Sequence, residues 1–121
     1  MIGYATIGSN DLEKVKAFYD KVLEPLGGMR TMAAERMQLY GSGGGAMLAV
    51  CLPYDEKQAR PGNGNMIALA APSREVVDAT YKAALANGGT CEGPPGLRGD
   101  TFYGDYFRDL DGNKLCAFNM G

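Results

Sequence analysis

Apolar positions along this chain switch between two periods. Met1–Ile7 alternates and is rich in strand-forming types, which predicts a strand. Leu12, Val15, Tyr19, Val22, Leu23 and Leu26 then recur at helical spacing as one apolar stripe. Asn10 is placed to cap this helix, with Glu13 three residues on to reach back, and Pro25 with Gly27-Gly28 stops it. Short strand patterns follow at Met29–Met32, Arg36–Tyr40 and Ala46–Leu52, the last two separated by the turn Gly41–Gly45.

The order then repeats. The polar, proline-containing stretch Pro53–Gly64 reads as a connection, and Asn65–Ala71 as a strand. Pro72-Ser73 opens a second helix with the stripe Val77, Tyr81, Ala84 and Leu85, stopped by Asn87-Gly88-Gly89. Strands are predicted at Thr90–Glu92, Thr101–Arg108 and Lys114–Asn119, the last two joined by the turn Asp109–Asn113. The chain therefore reads strand–helix–three strands, twice, with the halves offset by roughly sixty residues. A single α+β domain over residues 1–121 is expected, built from two paired βαβββ modules at about 1–53 and 62–121 that form a curved mixed sheet around a cleft.

Composition narrows the chemistry. The chain has 121 residues, 45% hydrophobic and 21% charged, as ordinary globular domains are. A net charge of −2 offers nothing to attract nucleic acid or an anionic membrane. No apolar run is bilayer-length and no secretory signal is evident, and Cys51, Cys91 and Cys116 form no C-x-x-C pair. Free thiols and a cytoplasmic protein are expected. The most restrictive count is zero histidines, which rules out His-ligated metals, Ser-His-Asp triads and Cys-His pairs. Gly41–Gly45 lacks the Lys-Ser/Thr ending of a phosphate loop, and Asp109, Asp111 and Asn113 lack the later Glu of a calcium loop.

Four segments carry a family resemblance: Met1–Ile7, Asp11-Leu12-Glu13 leading to Ala17-Phe18-Tyr19, Gly62–Ala70, and Tyr106–Leu115 with its R-D-x-D-G-N turn. In order and over essentially the whole chain, they resemble the vicinal oxygen chelate superfamily, which includes glyoxalases, extradiol dioxygenases and bleomycin-resistance proteins. The resemblance implies the paired-module fold. It also implies metal-ligand positions on the first and last strand of each module. These fall here on Tyr4, Met66, Cys116 and, within a residue, Leu48. None makes an ordinary hard-metal site, so no metal and no cofactor is expected.

Tyr4, Met66 and Cys116 are expected to point into the cleft. Met66 and Cys116 read first as fillers of the cavity, while the Tyr4 hydroxyl can donate to a ligand carbonyl. Lys114, two residues from Cys116, is the cation that a reactive thiolate would need. Arg98, Tyr103 and Tyr106 are the other candidate ligand contacts: Arg98 for an anionic group, the tyrosines for stacking. Ordinary strand alternation explains Tyr103 and Tyr106 equally well and is the preferred reading of Asp100 and Asp105, while Asp109 and Asp111 belong to the turn. The expected function is metal-independent binding of a small molecule by a homodimer. The alternative is a lyase-type or other glyoxalase-like enzyme using Tyr4 or Cys116, and a purely structural role is a third possibility.

Overall fold

Each half of the chain ends beside the strand that began it. The computed structural model describes all residues from Met1 to Gly121. The first half runs β1 (Tyr4–Gly8), α1 (Leu12–Val22), a 3-10 turn at Glu24–Leu26, β2 (Met29–Ala34), β3 (Met37–Gly41) and β4 (Met47–Cys51). The second runs β5 (Ile67–Ala70), α2 (Arg74–Ala86), β6 (Thr90–Arg98), β7 (Phe102–Arg108) and β8 (Lys114–Asn119). Strand orders are β1-β4-β3-β2 and β5-β8-β7-β6. In each sheet the opening strand pairs in parallel with the closing strand, and the remaining pairs are antiparallel. The expected α+β fold of two βαβββ modules is therefore present, as two four-stranded sheets rather than one closed sheet.

The helix stops share one hydrogen-bond pattern. Gly28 N–H donates to Leu23 O and Gly89 N–H to Ala84 O, both at 2.8 Å, each reaching back five residues. The preceding glycines are left-handed, Gly27 at φ 76° and Gly88 at φ 100°. This is the Schellman closure, and it explains why both stops need two glycines. The first permits the positive φ. The second lies against the last helical turn, where a Cβ on Gly89 would fall 2.8 Å from Ala84 O.

Several boundaries differ from the sequence pattern. Asp11, not Asn10, caps α1, its carboxylate accepting from Lys14 N–H. The Asn10 side chain instead accepts from Ala59 N–H at 2.7 Å and donates to Ala59 O at 3.2 Å, holding the inter-module connection. Strand β1 begins at Tyr4, leaving Met1–Gly3 exposed. Strand β6 continues through Pro94-Pro95 to Arg98, well past the expected Glu92. The prolines are tolerated because β6 is an edge strand whose register slips between Gly93 and Gly96. On α2 the buried residues are Val77, Thr80 and Ala84, while Leu85 is exposed. Thr80 is accommodated because its hydroxyl donates to Val76 O.

One core joins the modules. Val15, Phe18, Tyr19, Val22 and Leu23 of the α1 segment meet Tyr40, Leu48 and Val50 from the first sheet and Ala84, Phe107 and Leu115 from the second module. Strand alternation then assigns the faces. Leu48, Val50, Ile67, Leu69, Phe107 and Leu115 turn toward the helices. The intervening residues turn to the opposite, open faces of the two sheets.

Candidate functional site

Tyr4 pairs with Met47 in parallel register, so it shares the open face with Met47, Ala49 and Cys51. Its ring is 57% exposed. Leu48, the fourth ligand-type position, pairs with Ala5 and is buried on the helix side. The residue of β4 that shares Tyr4's face is thus Met47 or Ala49, one place either way from Leu48. Met66 immediately precedes β5, and Ile67 beside it packs on the core, so Met66 turns to the open face of the second sheet. Cys116 lies on that same face, between the core residues Leu115 and Ala117.

Around Cys116 the open face of the second module is aromatic and cationic. Phe102 and Phe118 stack at 5.4 Å with ring planes 8° apart. The Arg98 guanidinium lies 5.0 Å from the Tyr106 ring centroid and the Lys114 ammonium 5.2 Å from it. Arg98 is held in place by backbone carbonyls: its guanidinium donates to Pro94 O at 2.7 Å, to Gly96 O at 3.1 Å and to Gly104 O. Room for this stack exists because residue 93 is glycine; a Cβ there would fall 3.0 Å from the Arg98 guanidinium and 3.1 Å from the Tyr106 ring. Tyr103, three residues before Tyr106 on β7, faces the other way. Its hydroxyl donates to Asp78 of α2 at 2.7 Å, and Arg74 lies 5.1 Å from its ring. The structure therefore brings Arg98, Tyr106 and Cys116 together and leaves Tyr103 in the contact between α2 and β7.

Two cavities lie where β1 and β5 approach one another. One is an apolar cleft of about 490 Å³, lined by Ala5, Leu23, Leu26, Tyr40, Leu48, Met66, Ile67 and Leu69 among others. On the connector side is a polar crevice of about 480 Å³, lined by Thr6, Arg60, Asn65, Met66, Asn113 and Lys114 among others. Of the residues singled out from the sequence, Met66 alone borders both. Arg60 and Lys114 were not among the expected ligand contacts. The sequence signal for Lys114 was its alternation with Cys116; Arg60 sits in the connector and had none.

The sequence profile of the Glyoxalase/Bleomycin resistance protein/Dioxygenase superfamily matches residues 1–117. The chain belongs to this superfamily. A solved glyoxalase/bleomycin resistance protein from Albidiferax ferrireducens T118 is 40% identical over 100% of this chain and 99% of its own, with a TM-score of 0.92. At 19% identity, two others show the fold alone. A family enzyme from Burkholderia phytofirmans PsJN has a TM-score of 0.80, with 98% of both chains covered. A lactoylglutathione lyase from Agrobacterium tumefaciens has a TM-score of 0.71, covering 98% of this chain and 92% of its own. No curated protein matches the chain significantly.

In this superfamily member the donor set does not suit the divalent ion that the resemblance implies. Tyr4, Met66 and Cys116, with Met47 or Ala49 from β4, contain no carboxylate and no imidazole. No group of three or more His, Cys, Asp or Glu side chains comes together elsewhere in the chain. A hard cation needs several oxygen or nitrogen donors, and thioether and methyl groups supply none.

Cys116 is also poorly placed as a nucleophile. It is fully buried, and burial pushes its thiol up to about 11, with the Asp105 carboxylate adding to the rise against Arg98 and Lys114. At neutral pH it is a thiol, not a thiolate. Asp105 is the one buried polar group the superfamily member leaves incomplete. Its Oδ1 accepts from Ala117 N–H at 3.0 Å, while its Oδ2 is buried with no partner. Burial raises its carboxyl to about 6, Asp78 adding to the rise and the Ala117 amide and Arg98 opposing it.

Proposed function

We propose that this superfamily member binds a small organic molecule at the junction of its modules without the help of a metal ion. The observation that carries this reading is the replacement of every ligand-type position by Tyr4, Met66, Cys116 and a methionine or alanine of β4, beside an apolar cleft of about 490 Å³. Clefts of this size and lining bury an organic ligand well, with a few polar groups to orient it. The Tyr4 hydroxyl, exposed and without an intramolecular partner, and the Tyr106 ring braced by Arg98 are taken as further contacts on the open sheet faces, outside the lining of the cleft itself. Met66 lines the cleft, and Cys116 lies buried beneath the open face of the second sheet, outside the cleft lining. The buried, protonated thiol argues against the alternative of covalent catalysis at Cys116.

The working unit in this reading is a homodimer. Tyr4, Met29, Met32 and Met66, at 57, 66, 67 and 42% exposure, lie on strand surfaces or beside a strand, with no cover from their own chain. A symmetric partner that lays its own sheet across them removes both the apolar surface and the free edges. No helix is long and apolar enough to cross a membrane. We place the protein in the cytoplasm, in keeping with three free cysteines, with neither nucleic acid nor a membrane as partner. The reading is tested by thermal-shift screening of small organic molecules against chelator-free protein, with elemental analysis of the same sample. Stabilisation by an organic compound, with no stoichiometric divalent ion, is the expected result. A stoichiometric metal whose removal abolishes binding overturns it.

A further inference from the structure

We infer that the polar crevice between β1 and β5 is an anion subsite, in which Arg60 and Lys114 take the carboxylate or phosphate group of a small organic ligand. This rests on the small-molecule reading above and names the ligand's chemical class. Twelve residues line the crevice, two are cations, and none is Asp or Glu. Neither cation is neutralised elsewhere. The ion pairs of the chain are Lys16–Glu13, Arg30–Asp20 and Arg108–Glu92, which leave Arg60 and Lys114 without a carboxylate. Two positive groups on the lining of one crevice repel each other, with Arg60 exposed and Lys114 half-buried. An anion between them removes it.

The surroundings are arranged for such an occupant. The connector that carries Arg60 is held at the preceding residue by the two hydrogen bonds between Asn10 and the Ala59 backbone, so the guanidinium leaves a fixed point of the chain. Lys114 is anchored on β8 next to the Tyr106 ring. A Cβ on Gly62 would overlap the Asn65 amide, so glycine there lets that amide, another hydrogen-bond donor, fold over the loop beside the crevice. Met66 separates this polar recess from the apolar cleft and borders both. In this proposal the ligand's charged group meets Arg60 and Lys114, and its apolar body lies past Met66 and Ile67, the two residues that border both cavities. Arg98 has a different task. Its guanidinium is already engaged by three backbone carbonyls, so it positions the Tyr106 ring rather than reaching the anion.

The test is an NMR titration of the full-length protein with phenyl phosphate, benzoate and benzyl alcohol, three probes that share a ring and differ in the attached group. At least one of the two anions is expected to shift the backbone resonances of residues 62–66 and 114, with affinity falling as salt is raised. Which of them binds more tightly identifies phosphate or carboxylate as the natural group. Arg60→Gln and Lys114→Gln are each expected to weaken that anion by about tenfold, the scale of one charge-assisted hydrogen bond. Lys114→Arg restores most of it, and Lys82→Gln, an exposed charge on α2, changes nothing. Equal binding of benzyl alcohol and the anions overturns the anion subsite while leaving small-molecule binding intact. Anion binding that survives both glutamine substitutions, or no shift with any probe, also overturns it; the thermal-shift screen then judges the broader reading separately.

Discussion

The Tyr19 hydroxyl donates to Asp109 Oδ2 at 2.6 Å, joining the first helix to a turn ninety residues later. Both groups are buried, and the phenol is held well above its ordinary pKa by that burial and by the adjacent carboxylate. The same Asp109 accepts from Asp111 N–H, Asn113 N–H and the Asn113 side chain. Asp111 in turn accepts from Asn10 N–H, and the Asn113 amide donates to Gly8 O. The R-D-x-D-G-N segment is therefore a clamp between modules as well as a hairpin turn.

Breaking this clamp should cost stability in proportion to the buried groups left without partners. Tyr19→Phe is expected to lose about 1 kcal/mol, and Asp109→Ala about 3 kcal/mol because it also strips two backbone amides. Urea unfolding of both single variants and the double variant measures the coupling. Strictly additive losses would show that the 2.6 Å bond contributes nothing of its own.

Asp105 makes stability depend on pH in an unusual direction. Its carboxyl is raised from 3.8 to about 6 in the folded chain, so folding favours the protonated form. The contribution is fully present below about pH 4 and is lost as pH rises through about 6, a change on the order of 3 kcal/mol. Asp105→Asn, which cannot ionise, should flatten that part of the profile and raise the melting temperature at pH 8. An unchanged profile between pH 4 and 7 would remove Asp105 as its source.

Thiol reactivity should separate the three cysteines. Cys91 is exposed, Cys51 half-buried and Cys116 fully buried with its pKa near 11. At pH 8 an aromatic disulfide reagent should label Cys91 first and reach Cys116 only on unfolding. Rapid labelling of Cys116 in the folded protein would restore the case for a catalytic thiol.

Tyr103 should behave differently from Tyr4 and Arg98 once a ligand has been identified by screening. Tyr103→Phe removes the bond to Asp78 and should lower stability by about 1 kcal/mol while leaving affinity unchanged. Tyr4→Phe and Arg98→Ala should each weaken binding by roughly 1–3 kcal/mol, the former by losing a donor, the latter by releasing the Tyr106 ring. Calorimetry on the folded fraction distinguishes the two cases. If Tyr4→Phe and Arg98→Ala both bind as the parent does, the ligand lies elsewhere.

Association should be visible in mass. Light scattering at tens of micromolar, an order-of-magnitude assay concentration, should report twice the chain mass. Replacing Met32 by Lys on the exposed strand β2 should shift the protein toward monomer.

Much of this architecture was legible without coordinates, because it depends on local periodicity. The helical stripe of Val15, Tyr19 and Val22, the twin Gly-Gly stops and the order of strands follow from spacing that the backbone enforces residue by residue. Absence of histidine likewise restricted the chemistry before any fold was known. Sequence also placed Tyr4 and Cys116 on strands, since alternation assigns every second side chain to one face, whereas Met66, expected within a strand, lies just before β5. It could not decide which face Leu48 takes, because a one-residue change of register reverses the answer, and only the Tyr4–Met47 pairing settles it. Nor could it separate Tyr103 from Tyr106, or tell that Asn10 holds the connector while Asp11 caps the helix. Those outcomes depend on which partner lies across tens of residues of chain. Arg60 and Lys114, fifty-four positions apart, meet at one crevice only because the modules share a core. Both charges are legible in the sequence; that they line one crevice was decided by packing.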